Sequence, residues 1–389
     1  MLAAAVGCGA AYTRHLERRW VHRLAPAVFE QKNQGASLSR LALQQADLLV
    51  VLGSSELLEQ RPYQAPFEAN SVFRTYPTGF DVFLVAKPHN ACLTMLQALA
   101  ALGPQLRGRK IVISISPPWF FLRPQAGLEG YGGNFSALHA VELAYSTDLS
   151  LDLKRAAADR MLDYPETLEK LPLLRFALER LSDATPLDTA LYWGTFPLGR
   201  LNAAILGVQD DWEMLRFIES RRPREEKPRR EAPIDWPQLL ADAHLAHGRN
   251  SRGNPYGMDH LTWSEDVQKL DTRDPADGAR YREYMGEEAR WLDLELLLRG
   301  LRELGADALV LGTPIHGAFY DAQGLGAEDR ARYYQRVQAL ARAHGIGTQL
   351  FADREYDRDF SIDPFGHMSP VGWIHFDRAL DAFFNGRAP

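Results

Sequence analysis

Three apolar runs, each followed at once by a polar or Gly/Pro-rich loop, constrain what this chain can fold into more than any other feature. They cover residues 46–52, 110–116 and 307–313. Uninterrupted apolar runs of this length are typical of parallel strands that are buried on both faces. Each run therefore predicts a strand at the centre of a sheet, with a loop at its carboxyl end.

Helical patterns lie between these runs, at residues 93–102, 137–144 and 287–304. The alternation of buried strands with helices predicts an α/β fold with a doubly wound, mostly parallel sheet flanked by helices. In such sheets ligands bind beyond the carboxyl ends of the strands. The polar motifs of this chain follow those ends, so we expect a functional site there.

The middle of the chain has a different character. Residues 145–285 are rich in helical patterns and are predicted to form a helical insertion into the α/β domain. Within them, residues 221–236 are charged and interrupted by prolines, which is typical of an exposed loop or solvated linker. We therefore expect one domain over residues 26–389 that carries this insertion, preceded by a short N-terminal segment over residues 1–25.

Composition excludes several classes of function. The net charge of −6 argues against a nucleic-acid-binding protein, which usually presents a basic surface. Cys8 and Cys92 are too few for a disulfide scaffold or a Cys-rich metal site. His244 and His247 share a predicted helix face, but no third ligand is evident, so no metal site is predicted. Neither a phosphate loop nor a dinucleotide-binding motif occurs, so no cofactor is expected.

The N-terminus allows two interpretations. Residues 1–12 form a small apolar run, and four arginines follow between residues 14 and 23. The run is too short to cross a bilayer, and no basic stretch precedes it, so it is not a complete signal peptide. It is either the end of a membrane anchor or the start of an ordinary helix. The residues up to Cys8 also faintly resemble a lipoprotein cleavage site.

The first strand ends in a segment suited to a nucleophile. Gly53-Ser54-Ser55-Glu56-Leu57 follows residues 46–52 directly and leads toward a helical pattern. A serine on such a strand-to-helix turn is lifted above the sheet, close to backbone N–H groups that can stabilise an oxyanion. The alternative is that Ser54 or Ser55 merely caps the next helix.

A second candidate segment lies near the C-terminus, where Asp363 precedes His367 by four residues in a Pro/Gly-containing turn. A carboxylate held beside an imidazole fixes its tautomer and stabilises the imidazolium. The alternative is a surface turn with a solvated Asp and an unrelated His. Together with the early serine, the pair gives the order Ser, Asp, His on an α/β sheet.

Five blocks can be compared with a known family. They are Gly53-Ser54-Ser55-Glu56-Leu57, Ile115-Ser116-Pro117-Pro118-Trp119-Phe120, Asn254-Pro255-Tyr256-Gly257, Pro314-Ile315-His316-Gly317-Ala318-Phe319-Tyr320-Asp321, and His367 with Gly372-Trp373. In this order they resemble the motif blocks of the DltD family, the D-alanyl transfer proteins of teichoic-acid modification. The resemblance runs from about residue 45 to the C-terminus, and the order of the blocks makes it more specific than any single one.

The resemblance implies an SGNH-hydrolase-like catalytic domain on the outer side of the cytoplasmic membrane, periplasmic or at the cell surface, held by an N-terminal anchor. It implies a Ser/His site that relays a D-alanyl ester onto a cell-envelope polymer, teichoic acid or lipopolysaccharide. The implied partners are a membrane-bound O-acyltransferase and a carrier system that charges D-alanine. By the G-D-S pattern of SGNH enzymes, the nucleophile is Ser55 and not Ser54.

The chain departs from the family pattern at several positions. The family's Asp three residues before the His is Pro364 here, so Asp363 is the expected partner, with Asp359 or Asp357 as substitutes. Asn90 lies where a glycine-rich block is usual and is the candidate oxyanion donor. A Gln and an Asn of the family are replaced by Pro118 and His316, respectively. These changes suggest a divergent branch with a different acceptor.

The leading hypothesis is an extracytoplasmic serine O-acyltransferase in which Ser55 attacks, His367 is the general base and Asp363 orients His367. Further expected oxyanion-binding or substrate-binding residues are Gly53, Glu56, Asn90, Trp119, His316 and Tyr320, with Phe120 a neighbour of the acceptor groove or a core residue. Two alternatives stay open. One is an esterase or thioesterase that uses the same residues. The other is a non-catalytic scaffold, which predicts that Ser55 and His367 lie too far apart to hydrogen-bond.

Overall fold

The chain builds one parallel sheet with helices on both faces. The computed structural model describes residues 2–24, 35–122, 130–220 and 230–387. The sheet has five strands in the order β2-β1-β3-β4-β5, and every paired neighbour is parallel. The strands are β1 Leu48–Gly53, β2 Asp81–Ala86, β3 Lys110–Ile115, β4 Asp307–Gly312 and β5 Gly347–Gln349. The predicted α/β class with a parallel sheet is confirmed.

The three apolar runs became β1, β3 and β4, the three central strands. Two strands were not predicted. The run that forms β2 is short, buried and largely apolar, and it begins directly after a Pro/Gly-containing turn. Strand β5 has three residues, Gly347–Gln349, at the sheet edge, and no apolar run marks it. It is assigned by its pairing with β4, which a local pattern does not show.

Helices precede β1, fill most of the connections between the strands and follow β5. They are α1 Leu2–Leu24, α2 Ala36–Gln44, α3 Ala69–Thr75, α4 Cys92–Leu102, α5 Pro118–Phe121, α6 Tyr131–Asn134, α7 Ala137–Ala144, α8 Leu151–Leu162, α9 Pro172–Asp183, α10 Pro186–Ser220, α11 Trp236–Asn250, α12 His260–Thr262, α13 Pro275–Met285, α14 Glu288–Glu303, α15 Gly317–Ala322, α16 Ala327–Ala343 and α17 Pro370–Phe384. The patterns at residues 93–102, 137–144 and 287–304 correspond to α4, α7 and α14.

The sheet separates two hydrophobic cores. Along β1, Val50 and Leu52 belong to the larger core, while Leu49 and Val51 belong to the smaller one. The larger core joins the sheet to α2, α4, α7 and α14, and the smaller one joins it to α3 and α17. Because side chains alternate along a strand, a strand buried on both faces must be apolar at every position, which explains the uninterrupted runs.

Residues 145–285 are mainly helical where the structure describes them, from α8 to α13. Helices α8, α9 and α10 contribute to the larger core, so this part of the chain packs continuously with the α/β layers. Of the charged segment 221–236, residues 221–229 lie outside the described residues, and Trp236 begins α11. The division into residues 1–25 and 26–389 stays a prediction.

The N-terminal residues form helix α1, which packs along α10 and α2. Thr13, Glu17, Val21 and Leu24 are buried in this contact, and Cys8 is exposed. None of the helices in the described parts of the chain is both long and apolar enough to cross a bilayer. The expected N-terminal anchor therefore stays a prediction.

Candidate active site

The first side of the site is the turn that follows β1. Strand β1 ends at Gly53, and residues Ser55–Leu57 form one tight helical turn. Ser54 is buried and donates its backbone N–H to Glu56 Oε1 at 2.9 Å, whereas Ser55 is partly exposed. A Cβ at Gly53 would lie 2.7 Å from Glu56 Oε1, so only glycine leaves room for this buried carboxylate. The turn therefore presents the second serine, not the first, to solvent.

The Glu56 side chain is fully buried, and this burial raises the pKa of its carboxyl group. Asn90 is also buried and is tied to the same turn: its Nδ2 donates to the Gly53 carbonyl at 3.0 Å, and its Oδ1 accepts from the Thr94 hydroxyl at 2.6 Å. Gly53, Glu56 and Asn90 thus fix the backbone that carries Ser55.

The second side of the site is the turn between Asp363 and His367. Asp363 Oδ1 accepts the backbone N–H groups of Phe365 at 2.8 Å and His367 at 3.3 Å. The other oxygen, Oδ2, lies 2.5 Å from His367 Nδ1. Gly366 has φ +89°, and a Cβ there would meet the Thr313 hydroxyl at 2.6 Å. The turn is therefore closed by its own carboxylate and fits tightly against the end of β4.

The two sides meet in a continuous chain of hydrogen bonds. Ser55 Oγ lies 2.9 Å from His367 Nε2, and His367 Nδ1 faces Asp363. Because the carboxylate can only accept, Nδ1 carries the proton and Nε2 is free to accept from Ser55. Burial alone would lower the pKa of His367, but the attraction of Asp363 outweighs it and the net shift is upward. This is the arrangement of a serine nucleophile with an oriented general base.

Three side chains tie the segment around His367 to neighbouring parts of the chain. Gln64, fully buried, donates to the Met368 carbonyl and accepts the N–H groups of residues 60 and 61. Ser116, just after β3, donates to the Phe365 carbonyl at 3.0 Å. Tyr320 donates its hydroxyl to the Pro364 carbonyl at 3.0 Å. The spacing between Ser55 and His367 is thus set by a network of bonds from several elements.

A cleft of about 340 Å³ opens beside this chain of hydrogen bonds. Its lining comes from three segments: Gln60 and Arg61; Thr262, Asp266, Lys269 and Leu270; and Ile362, Asp363, Phe365 and His367. Asp259, which caps the helix at the start of the second segment, is bound by Arg61 and Tyr63. Its carboxylate lies 3.3 Å from Arg61 Nε and 3.0 Å from the Tyr63 hydroxyl. The end of the predicted helical insertion therefore forms one wall of the cleft.

The remaining predicted site residues lie away from this opening. Tyr320 and Phe120 are buried in the aromatic core, and Trp119 is half-buried on α5. His316 is buried, with Nε2 3.2 Å from the Tyr256 carbonyl and Nδ1 accepting the Phe319 N–H. Burial lowers the pKa of His316 to about 4, so the ring is neutral. Of these residues, Tyr320 contacts the His367 turn through the Pro364 carbonyl, and none of them lines the cleft.

The other acidic and histidine candidates have different partners. Asp359 pairs with His244 at 2.7 Å, and Asp357 lies near Arg354. His247 is buried and lies 2.8 Å from the Gly257 carbonyl. Among the residues that the structure describes, no group of three His, Cys, Asp or Glu side chains is placed to hold a metal ion. Asp363 is thus the carboxylate at His367.

Sequence reasoning missed Gln64 as the residue that joins residues 60 and 61 to Met368, and it missed the cleft wall at residues 262–270. Gln64 carries no local signal, because a lone glutamine in a loop reads as a solvated residue. Ser116 stands inside one of the matched blocks, so its position beyond β3 could have marked it as a site residue.

Comparisons with known proteins identify the family of this chain. The profile of the DltD family, described as "DltD protein", matches residues 25–385. Protein DltD of Bacillus subtilis (strain 168) is 26% identical over 362 residues, covering 93% of this chain and 87% of that protein. Protein DltD of Staphylococcus aureus (strain NCTC 8325 / PS 47) is 23% identical over 339 residues, covering 86% of this chain and 81% of that protein. The chain belongs to the DltD family.

Proposed function

We propose that this protein is an extracytoplasmic serine O-acyltransferase that moves D-alanyl or related acyl esters onto a cell-envelope polymer through an acyl-enzyme on Ser55. The observation that carries the proposal is the chain of hydrogen bonds from Ser55 through His367 to Asp363, of which His367 and Asp363 also line a cleft. Membership of the DltD family supports the D-alanyl group, the polymer acceptor and the extracytoplasmic location. A membrane-bound O-acyltransferase is the proposed partner.

The chemistry divides into two half-reactions. In the first, Ser55 Oγ attacks the carbonyl carbon of the incoming acyl ester while His367 Nε2 takes the hydroxyl proton. The leaving alcohol or thiol departs with that proton, which His367 returns to it. In the second, His367 removes the proton of an acceptor hydroxyl while the acceptor oxygen attacks the acyl carbon. His367 then gives this proton to Ser55 Oγ as the bond to the acyl group breaks. Asp363 stabilises the imidazolium in both.

The oxyanion that forms in each half-reaction needs N–H donors at the nucleophile turn. The backbone N–H of Ser55 donates to no other residue within the described chain, so it is free to serve. The Asn90 amide uses one N–H on the Gly53 carbonyl and has a second to offer. We assign the Ser55 N–H as the first donor and Asn90 as the candidate for the second.

The two alternatives differ in what they require of this site. A scaffold that only binds the polymer needs no contact between Ser55 and His367, and their 2.9 Å separation counts against it. An esterase or thioesterase needs the same residues and differs only in accepting water. Product analysis separates transfer from hydrolysis.

The test is covalent capture of the acyl group. The full chain is incubated with a small D-alanyl thioester, and the intact mass and the modified peptide are followed by mass spectrometry. We expect one D-alanyl adduct on Ser55, absent in Ser55→Ala and retained in the matched control Ser54→Ala, whose hydroxyl is buried. An adduct that survives Ser55→Ala would refute the proposal. Adding a polyol phosphate then distinguishes transfer, which gives an acylated polyol, from hydrolysis, which gives free D-alanine.

A further inference from the structure

Helix α10 exposes an apolar face that no described part of the chain covers. The exposed side chains, called here the apolar stripe, are Leu187, Leu191, Leu198, Leu201, Ile205, Val208 and Trp212. Leu187 is 69% exposed and Leu201 is 57% exposed. Between residues 186 and 208, Arg200 is the only charged residue on the exposed side of the helix. A contiguous exposed apolar face of this length marks an interaction site.

The position of the stripe is set by the packing of the opposite side of the helix. Tyr192, Gly199, Ala203 and Met214 are buried against the larger core and its surroundings. Gly199 is in contact with the Tyr145 ring, where a Cβ would lie 2.3 Å from ring carbons. Because this side is locked to the protein, the helix cannot rotate to bury the stripe. The stripe therefore needs an external partner.

Positive charge lies next to the stripe. Helix α1 packs along α10 and exposes Arg14, Arg18, Arg19 and Arg23. Arg14 interacts electrostatically with Asp211, the neighbour of Trp212, so the two helices bring cations to that end of the stripe. The exposed carboxylates of Glu213 and Glu219 only partly offset this charge.

We infer that the apolar stripe of α10 lies in the headgroup region of an anionic lipid bilayer, with the arginines of α1 over the lipid phosphates. Interfacial helices bury Leu and Trp among the acyl chains and headgroups and add attraction from neighbouring cations. Tryptophans favour this depth because one part of the ring is apolar and the other donates a hydrogen bond. Trp212 lies at the C-terminal end of the stripe, and Trp193, exposed beside it, contacts Phe196 and Lys154.

A second helix is a poorer occupant. The stripe spacing would suit a coiled-coil seam, but such seams are flanked by charged residues that set the register. Here the flanking exposed positions include Ala190, Pro197 and Ala204, and Gly194 stands on the seam itself. Pro197 also removes one backbone hydrogen bond in the middle of the helix. A fluid lipid surface tolerates such irregularity, whereas interlocking side chains do not.

The inference concerns binding and does not depend on the chemistry of Ser55. The test is flotation of the full chain with vesicles of phosphatidylglycerol or of phosphatidylcholine. We expect flotation with phosphatidylglycerol and much weaker flotation with phosphatidylcholine. The double variant Leu198→Glu/Ile205→Glu should reduce partitioning by at least about tenfold, because each leucine-sized side chain contributes roughly 1 kcal/mol or more. The matched control Leu245→Glu replaces an equally exposed leucine of α11 and should float like the wild type.

Two further variants separate the apolar and electrostatic contributions. Arg18→Glu/Arg19→Glu should weaken binding to phosphatidylglycerol and leave the phosphatidylcholine value unchanged. Bromine-labelled acyl chains should quench the tryptophan fluorescence of the wild type, and Trp193→Phe/Trp212→Phe should remove most of that quenching. Unchanged circular dichroism shows that each variant is folded.

Three results would overturn the inference: no flotation of the wild type, flotation that the stripe variant does not reduce, or a concentration-dependent dimer that the stripe variant dissolves. The last would assign the stripe to a second copy of the chain. Ser55→Ala should float like the wild type, because the stripe is separate from the nucleophile. Normal flotation without acyl capture would therefore refute the proposed function alone. Acyl capture without flotation would refute the lipid-binding inference alone.

Discussion

Replacing Asp363 by Asn is the most informative single change, because the structure predicts which way the new amide will face. Asp363 Oδ1 accepts two backbone N–H groups, those of Phe365 and His367. In Asp363→Asn the amide oxygen must occupy that position, since an NH₂ group there would face two donors. The NH₂ group then takes the place of Oδ2 and donates to His367 Nδ1. The imidazole is forced into the tautomer with its proton on Nε2, which cannot accept from Ser55.

The size of the effect follows from the same contacts. Two backbone hydrogen bonds at about 1 kcal/mol each favour the unproductive amide orientation by about 2 kcal/mol, or roughly thirtyfold. Loss of the negative charge also removes the stabilisation of the His367 imidazolium, and Asp→Asn at a comparable triad lowers the rate about 10⁴-fold. We therefore expect acylation of Ser55 to slow by between roughly thirtyfold and 10⁴-fold.

The assay is the single-turnover rate of D-alanyl adduct formation on Ser55, followed by intact-mass measurement. The matched control is Asp359→Asn, because Asp359 is close in sequence but pairs with His244 instead. The control should acylate at the wild-type rate, and both variants should retain their circular dichroism. If Asp363→Asn, folded and pure, acylates within about threefold of the wild type, the assignment of the triad carboxylate is refuted.

Three further predictions concern the same site. The acylation rate should fall as the pH drops below the pKa of His367, with a midpoint above the ordinary histidine value of 6.5, because Asp363 favours the protonated ring; a midpoint below 6.5 in the wild type would contradict this. Gly366→Ala should abolish acylation, because the new methyl group would meet hydroxyls at the strand ends, whereas Gly386→Ala, also at positive φ but with open space around it, should retain the wild-type rate. Gln64→Ala should lower the free energy of unfolding in urea by about 2 kcal/mol or more, since it leaves buried backbone groups unpaired; a loss under about 0.5 kcal/mol would show that these bonds are replaced.

The local physics of the chain determined the parts of the fold that depend on neighbouring residues. The central residues of strands β1, β3 and β4 are mostly apolar because both faces of these strands are buried, and consecutive residues of the sequence show this requirement. The turn at Ser55 and the turn at His367 each carry a glycine where the Cβ of another residue would clash. Strand β5 could not be predicted, because it is defined by its pairing with β4 and not by any local pattern.

Only the tertiary structure decided how the candidate residues come together. Ser55 and His367 are 312 residues apart in the chain, so their 2.9 Å contact depends on the strand order and on bonds such as that from Gln64 to Met368. It also decided that Asp363, not Asp359, faces His367, because the turn folds that carboxylate inward onto its own backbone. The sequence by itself determined which chemical groups are present and which turns carry them. Packing across the sheet determined which of those groups touch, since contacts between distant residues leave no trace in local sequence.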